Sequence, residues 1–237
     1  LLQKSLALLD DPNLAGPEAR AARAFTFLQW GEINREGDRQ TARHQYEQSL
    51  ALYQALADSW GTANTLASLG WLIQHFGAYD EARHLYSESL TRRQLLEDRW
   101  GVANSLLSLA SVSLYQCHPN EAEQLIRQSI NLHQELNDRA GIAYSLSKLG
   151  ETLIWLGKFA EALAPLEESK ALYENLGLRD RAAFSVAMLA AATLHLGQYD
   201  TALTRARLAL TEFEKVGSRR GRGYTMLLMG WAQSGTG

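Results

Sequence analysis

Cysteine is nearly missing from this chain: Cys117 stands alone among 237 residues. One thiol closes no internal disulfide, and one thiol with six scattered histidines does not build a usual zinc cage. No Asn-x-Ser/Thr sequon occurs, and no charged-then-apolar leader ends in a small-residue cleavage site. These absences fit a reducing compartment, so the expected location is the cytoplasm. No stretch reaches the roughly 18 uninterrupted apolar residues of a membrane span, and no membrane partner is expected. The net charge of −3 carries no basic excess for nucleic acid. The late basic residues Arg205, Arg207, Lys215, Arg219, Arg220 and Arg222 read as solvated helix ends.

Reactive motifs are missing as well. There is no G-x-x-x-x-G-K-[ST] loop to cradle phosphate and no H-E-x-x-H, and Gly221-Arg222-Gly223 lacks the strand-turn-helix setting of a dinucleotide site. His44 and His84 occupy equivalent places one period apart and read as a solvated helix face. No serine, histidine and acid are spaced as a nucleophile with its base. No catalytic residue, cofactor or metal is expected.

What the chain does contain is a period. Ala42, Ala82, Ala122, Ala162 and Ala202 are spaced by 40, each in a similar phrase such as GAYDEAR from Gly77 or GKFAEAL from Gly157. A fixed period of this size marks stacked repeats. Within one repeat two apolar stripes of helical period appear: Leu66, Leu69, Gly70 and Ile73, then Tyr79, Ala82, Tyr86, Ser89 and Leu90. Gly37, Gly77, Gly157 and Gly197 mark the stop between the two helices, where a left-handed residue is expected. Asp58, Asp98, Asp138 and Ser218 are placed to cap the next first helix, whereas Leu178 breaks the series and Asp180 is the expected substitute. Gly70, Ala110, Gly150, Ala190 and Gly230, with the alanine series, are small enough for two helices to cross closely. Cys117-His118-Pro119 replaces one glycine turn, with Pro119 placed to open a helix. Pro165 should bend the helix that contains it. Trp60 and Trp100, beside Gly61 and Gly101, read as wedges between repeats.

The expected architecture is all-α: a right-handed α-solenoid of antiparallel helix pairs. About five repeats occupy 19–56, 59–96, 99–136, 139–176 and 180–216. Residues 1–9 read as an orphaned second helix, because LLQKSLALL parallels YEQSLALYQ from Tyr46, and 219–233 read as a lone first helix. The opening Leu1-Leu2-Gln3, with no initiator Met, reads as a piece of a longer protein. Its cut ends invite end-to-end self-association.

Leu66, Leu69, Gly70, Ile73, Gly77, Tyr79, Ala82, Tyr86 and Ser89, with their counterparts Leu146 to Ser169, resemble the tetratricopeptide repeat in its 40-residue form. The junction phrases DSWGTAN, DRWGVAN and DRAGIAY resemble a narrower group: kinesin light chains, polarity adaptors of the Pins type, and the C-terminal arrays of bacterial STAND signalling ATPases. The Trp-Gly junctions look most like the STAND arrays. That resemblance implies a ligand-sensing arm acting on an upstream NTPase domain. An adaptor or structural scaffold of the kinesin-light-chain or Pins type is the alternative.

The resemblance also implies that outward positions of the first helices face a protein or peptide ligand, with a small effector as a further option. The candidate ligand-binding residues are Asn64, Trp71, His75, Asn104, Tyr115, Tyr144, Glu151, Trp155, Phe184, His195, Tyr224 and Trp231. Their aromatic rings could serve either as binding hot spots or as packing between neighbouring first helices. One subtype of the family clamps a C-terminal peptide carboxylate with Lys and Asn on the first helices. Ser68, Ser108, Lys148 and Met188 occupy that Asn position here, which disfavours a clamp.

Overall fold

In the computed structural model, which describes residues 16–235, the periodic sequence folds as eleven helices with no strand among the described residues. They are α1 (Pro17–Asn34), α2 (Arg39–Ala55), α3 (Ser59–His75), α4 (Tyr79–Leu95), α5 (Arg99–Tyr115), α6 (Pro119–Glu135), α7 (Arg139–Trp155), α8 (Phe159–Asn175), α9 (Arg179–His195), α10 (Tyr199–Lys215) and α11 (Arg219–Gly235). Odd-numbered helices are the first of each pair and even-numbered ones the second. The proposed orphan helix at 1–9 lies outside the described residues. Two compact units divide the chain, residues 1–116 with α1–α5 and residues 117–237 with α6–α11.

Several helix starts have a local cause. Asp38, Asp58, Asp98 and Asp138 accept a hydrogen bond from the backbone N–H three residues on, and the Ser218 hydroxyl accepts one from Gly221. Such a cap contributes about 1 kcal/mol. Leu178 caps α9 without any side-chain bond, and Asp180 sits inside the first turn rather than capping it, because the helix already begins at Arg179. Pro119 opens α6 as expected, and α8 runs unbroken through Pro165.

The left-handed residues only partly match expectation. Gly77, Gly157 and Gly197 have positive φ, and Cys117 takes the same conformation at φ 61° without being glycine. Gly37 does not, since the first repeat is one residue shorter at this turn. A second left-handed series separates successive repeats: Ala57, Glu97, Asn137, Gly177 and Gly217.

Packing explains the small residues. All five alanines of the 40-residue series are buried. At Gly31, Gly70 and Gly150 a Cβ would meet Tyr46, Tyr86 and Leu166 of the paired second helix at 2.5, 2.9 and 2.3 Å. The ring or branched side chain occupies the space that the glycine vacates, so small and large residues interlock across each of these pairs. Between repeats, buried hydroxyls meet at Ser49–Thr65, Ser129–Ser145 and Ser169–Ser185, 3.0–3.3 Å apart. Ser49, Ser89 and Ser169 also donate to the carbonyls of Ala24, Ala63 and Ala143, which satisfies these polar atoms in the core.

The wedge between repeats is not the tryptophan. Trp60 and Trp100 are each 57% exposed. The wedging side chain comes from the end of the preceding second helix: Tyr53 over Gly61, Arg93 over Gly101, His133 over Gly141 and Phe213 over Gly221. The junction glycine is there because those side chains lie against its backbone.

Candidate binding surface

Within each unit every helix packs on its sequence neighbours. Where next-but-one helices meet over several residues, both are first helices: α1 with α3 and α3 with α5, then α7 with α9 and α9 with α11. First helices are therefore drawn together along one wall of each unit, and the candidate residues all lie on them.

In the first unit that wall is largely self-satisfied. The Asn64 side-chain oxygen accepts from the buried Arg93 guanidinium at 2.9 Å, and a second Arg93 nitrogen donates to the Gly101 carbonyl at 2.8 Å. Asn104 donates to the Trp100 carbonyl of its own helix. Trp71 is half-buried, with the His75 ring 3.8 Å from it and the Arg35 guanidinium 4.5 Å above it. The exposed His75 ring also bonds through Nδ1 to the Trp71 carbonyl at 2.7 Å. Tyr115 stacks on Tyr79, centroids 5.2 Å apart and planes within 2°.

The second unit is more open. Tyr144 is 38% exposed, with Lys148 Nζ and Arg181 Cζ each 5.8 Å from its ring centroid. Glu151 accepts from Lys148 at 2.8 Å. Phe184 packs on the Ala183, Ala187 and Phe213 cluster. Tyr224 bridges that cluster and the one around Leu194 and Leu228. Burial pushes its hydroxyl up to about 12, with the Glu151 charge adding to the effect. His195 stacks on Phe159 at 4.4 Å and 7°. Trp155 is 70% exposed and Trp231 52%.

Two of the candidate rings thus serve an edge between repeats. Tyr115 and His195 close the ends of first helices by stacking on the aromatic residue that opens the preceding second helix. Trp155, Tyr144 and Trp231 keep open faces. Three side chains outside the candidate set join the wall: Arg35, Lys148 and Arg181. Arg181 carried a legible signal, because it interrupts the glycine series at 61, 101, 141 and 221.

No cluster of histidine, cysteine and acid suited to a metal occurs among the described residues, and none of their helices is long and apolar enough to cross a membrane. In the basic region, Arg205 pairs with Glu167 at 2.8 Å and Lys215 with Glu212 at 2.5 Å.

The sequence profile of the tetratricopeptide repeat family matches residues 23–95 and 101–175. The chain is a tetratricopeptide repeat protein. Among curated protein sequences none matches. Among solved structures, this tetratricopeptide array is similar to BtubC (BKLC) from P. vanneervenii, with a TM-score of 0.78 and 18% identity over 92% of this chain and 91% of that one. It is also similar to nearly identical TPR-like repeats of a candidate kinesin light chain from Podosopora anserina: TM-score 0.67, 17% identity, 83% of this chain and 97% of that one. A third is PH0952 from Pyrococcus horikoshii, a Signal Transduction ATPase with Numerous Domains bearing a tetratricopeptide repeat sensor. It gives a TM-score of 0.71 and 14% identity over 96% of this chain but 34% of that one. At these identities the likeness is one of fold.

Proposed function

We propose that this tetratricopeptide array is a non-catalytic recognition module that binds a peptide or protein segment along its first-helix wall. The observation that supports this most is Trp155, a large aromatic side chain that remains 70% exposed at the end of a first helix whose neighbours use the equivalent ring for stacking. An exposed tryptophan, three turns along the same helix from the half-exposed Tyr144, offers wide contact area at little entropic cost. In a longer parent protein the array would be the ligand-sensing arm of a cytoplasmic bacterial STAND-type ATPase, acting on an upstream NTPase domain. The PH0952 likeness and the Trp-Gly junctions support that finer reading.

The test is selection of binders from a random dodecapeptide display library, followed by titration of a selected peptide against Trp155→Ala and Trp71→Ala. At least tenfold weaker binding with unchanged helicity is expected for one or both. Unchanged affinity in both folded variants would move the binding surface elsewhere.

A second reading, a self-associating scaffold or adaptor, has its own support: Met226, Leu227 and Trp231 stand exposed along α11. Sedimentation velocity over a hundredfold range of concentration distinguishes them, because a strict monomer that binds peptide leaves no role for that face in assembly.

A further inference from the structure

The junctions that open α3, α5 and α7 share two features, an acidic cap and a glycine three residues on: Asp58 with Gly61, Asp98 with Gly101, Asp138 with Gly141. The junction that opens α9 replaces both, with Leu178 and Arg181. Tyr173 links the two replacements. A Cβ at residue 181 denies its ring the seat over the backbone that Tyr53 takes over Gly61. Tyr173 is instead buried with Ala143 and Ala182, and Leu178 packs against that group. The apolar Leu178 therefore suits the displaced ring, at the loss of the side-chain cap. The exchange gives no advantage in capping. What it adds is a guanidinium over the Tyr144 ring.

The charges around that ring are uneven. Lys148 is held by Glu151 at 2.8 Å. Arg181 is exposed, and among the described residues no carboxylate lies within ion-pair distance of it. Its polar neighbour is the Tyr173 hydroxyl, whose pKa it lowers against the larger, raising effect of burial. One positive charge therefore stands uncompensated on an aromatic floor.

We propose that Arg181, with Tyr144 beneath it and Lys148 beside it, selects an acidic peptide: an aspartate or glutamate side chain whose carboxylate takes paired hydrogen bonds from the guanidinium. This rests on the reading of the first-helix wall as a peptide-binding surface. A single uncompensated charge matches the single charge of a carboxylate better than the double charge of a phosphate dianion. Residue 181 is not one of the Asn positions of the family's carboxylate clamp.

The experiment runs the dodecapeptide selection with the full 237-residue protein and with Arg181→Gln, Arg181→Lys and, as a control on a second helix, Arg207→Gln. Circular dichroism confirms that each variant is folded. Wild-type selections should share Asp or Glu at one fixed position. A synthetic peptide from that pool should bind Arg181→Gln about fivefold to tenfold more weakly, Arg181→Lys less severely, and Arg207→Gln as the wild type. Changing the peptide acid to its amide should cost the wild type the same factor and Arg181→Gln nothing. Selected peptides without a shared acid, or equal binding to Arg181→Gln, would overturn this inference while leaving the binding wall intact. Tighter binding of a phosphoserine version than of the Glu version would overturn it in favour of phosphate. Failure of the folded wild type to select any peptide would overturn the underlying reading, and this inference with it.

Discussion

The ring of Tyr53 lies across the backbone of Gly61, its Cδ1 2.3 Å from where a Cβ of residue 61 would stand. The same relation recurs at Phe213 and Gly221, so close approach of a planar ring to glycine is how these junctions close.

Gly61→Ala should accordingly lower stability by about 2 kcal/mol, since the added methyl meets a buried ring that has nowhere to move. Gly230→Ala, where a Cβ meets nothing within 4 Å, should instead raise it by up to about 1 kcal/mol through helix propensity. Urea midpoints of the two variants against the parent provide the check, and midpoints shifted in the same direction would contradict the packing account.

Ala57 and Glu97 hold left-handed backbone at φ 52° and 55°, where a Cβ costs about 1 kcal/mol. Ala57→Gly and Glu97→Gly should therefore raise the melting temperature, while Gly177→Ala, with φ 72° in the equivalent turn, should lower it. Differential scanning calorimetry of the three variants measures this directly.

His133 is buried, with Nδ1 3.0 Å from Asp138 Oδ2. Burial holds its proton affinity below the usual value of 6.5, and Asp138 only partly opposes this. The folded chain thus binds that proton less readily than the unfolded one. The contribution of the neutral ring is present above about pH 6.5 and is lost as pH falls below it. His133→Tyr places at this junction the side chain found at Tyr53. It should flatten the stability profile below about pH 6.5, where the parent loses stability as the buried ring is protonated. Glu123 titrates in a separate, lower window. Hydrogen bonds from Lys158 and Arg127 hold its carboxyl below the usual value of 4.5, so its contribution is lost only as pH falls through that depressed value. A profile for His133→Tyr that matches the parent over the higher window would rule the histidine out.

Tyr115→Ala removes a parallel ring stack and should cost about 1 kcal/mol of stability. Trp155→Ala removes a side chain that is 70% exposed and should cost less than about 0.5 kcal/mol. Chemical denaturation of both variants establishes whether a loss of peptide binding in Trp155→Ala can be assigned to the lost contact.

Much of this organisation is legible in the residues because its causes are local. Asp58, Asp98 and Asp138 cap the helix that begins beside them, and Pro119 opens its own. The buried alanines and the Gly70–Tyr86 interlock follow from one period repeated through the chain. The wedge is not legible in the sequence because its two members stand eight residues apart on different helices. Trp60 sits next to Gly61 in sequence, but Tyr53 covers it. Asn64 likewise reads as a free amide until the helix pair folds and brings Arg93, 29 residues on, to its oxygen.

By itself the sequence determined the period, the helix pairs, the aspartate caps and the buried alanine series. Each of these depends on neighbours within a turn or on exact recurrence at 40 residues. Only the tertiary structure decided which first-helix side chains are already occupied. Tyr115 and His195 each meet a ring 36 residues earlier, and Arg181 reaches Tyr144 across 37. Those partners face one another only when successive repeats stack, so equivalent first-helix positions separate into stacked rings, bonded amides and the few rings left exposed.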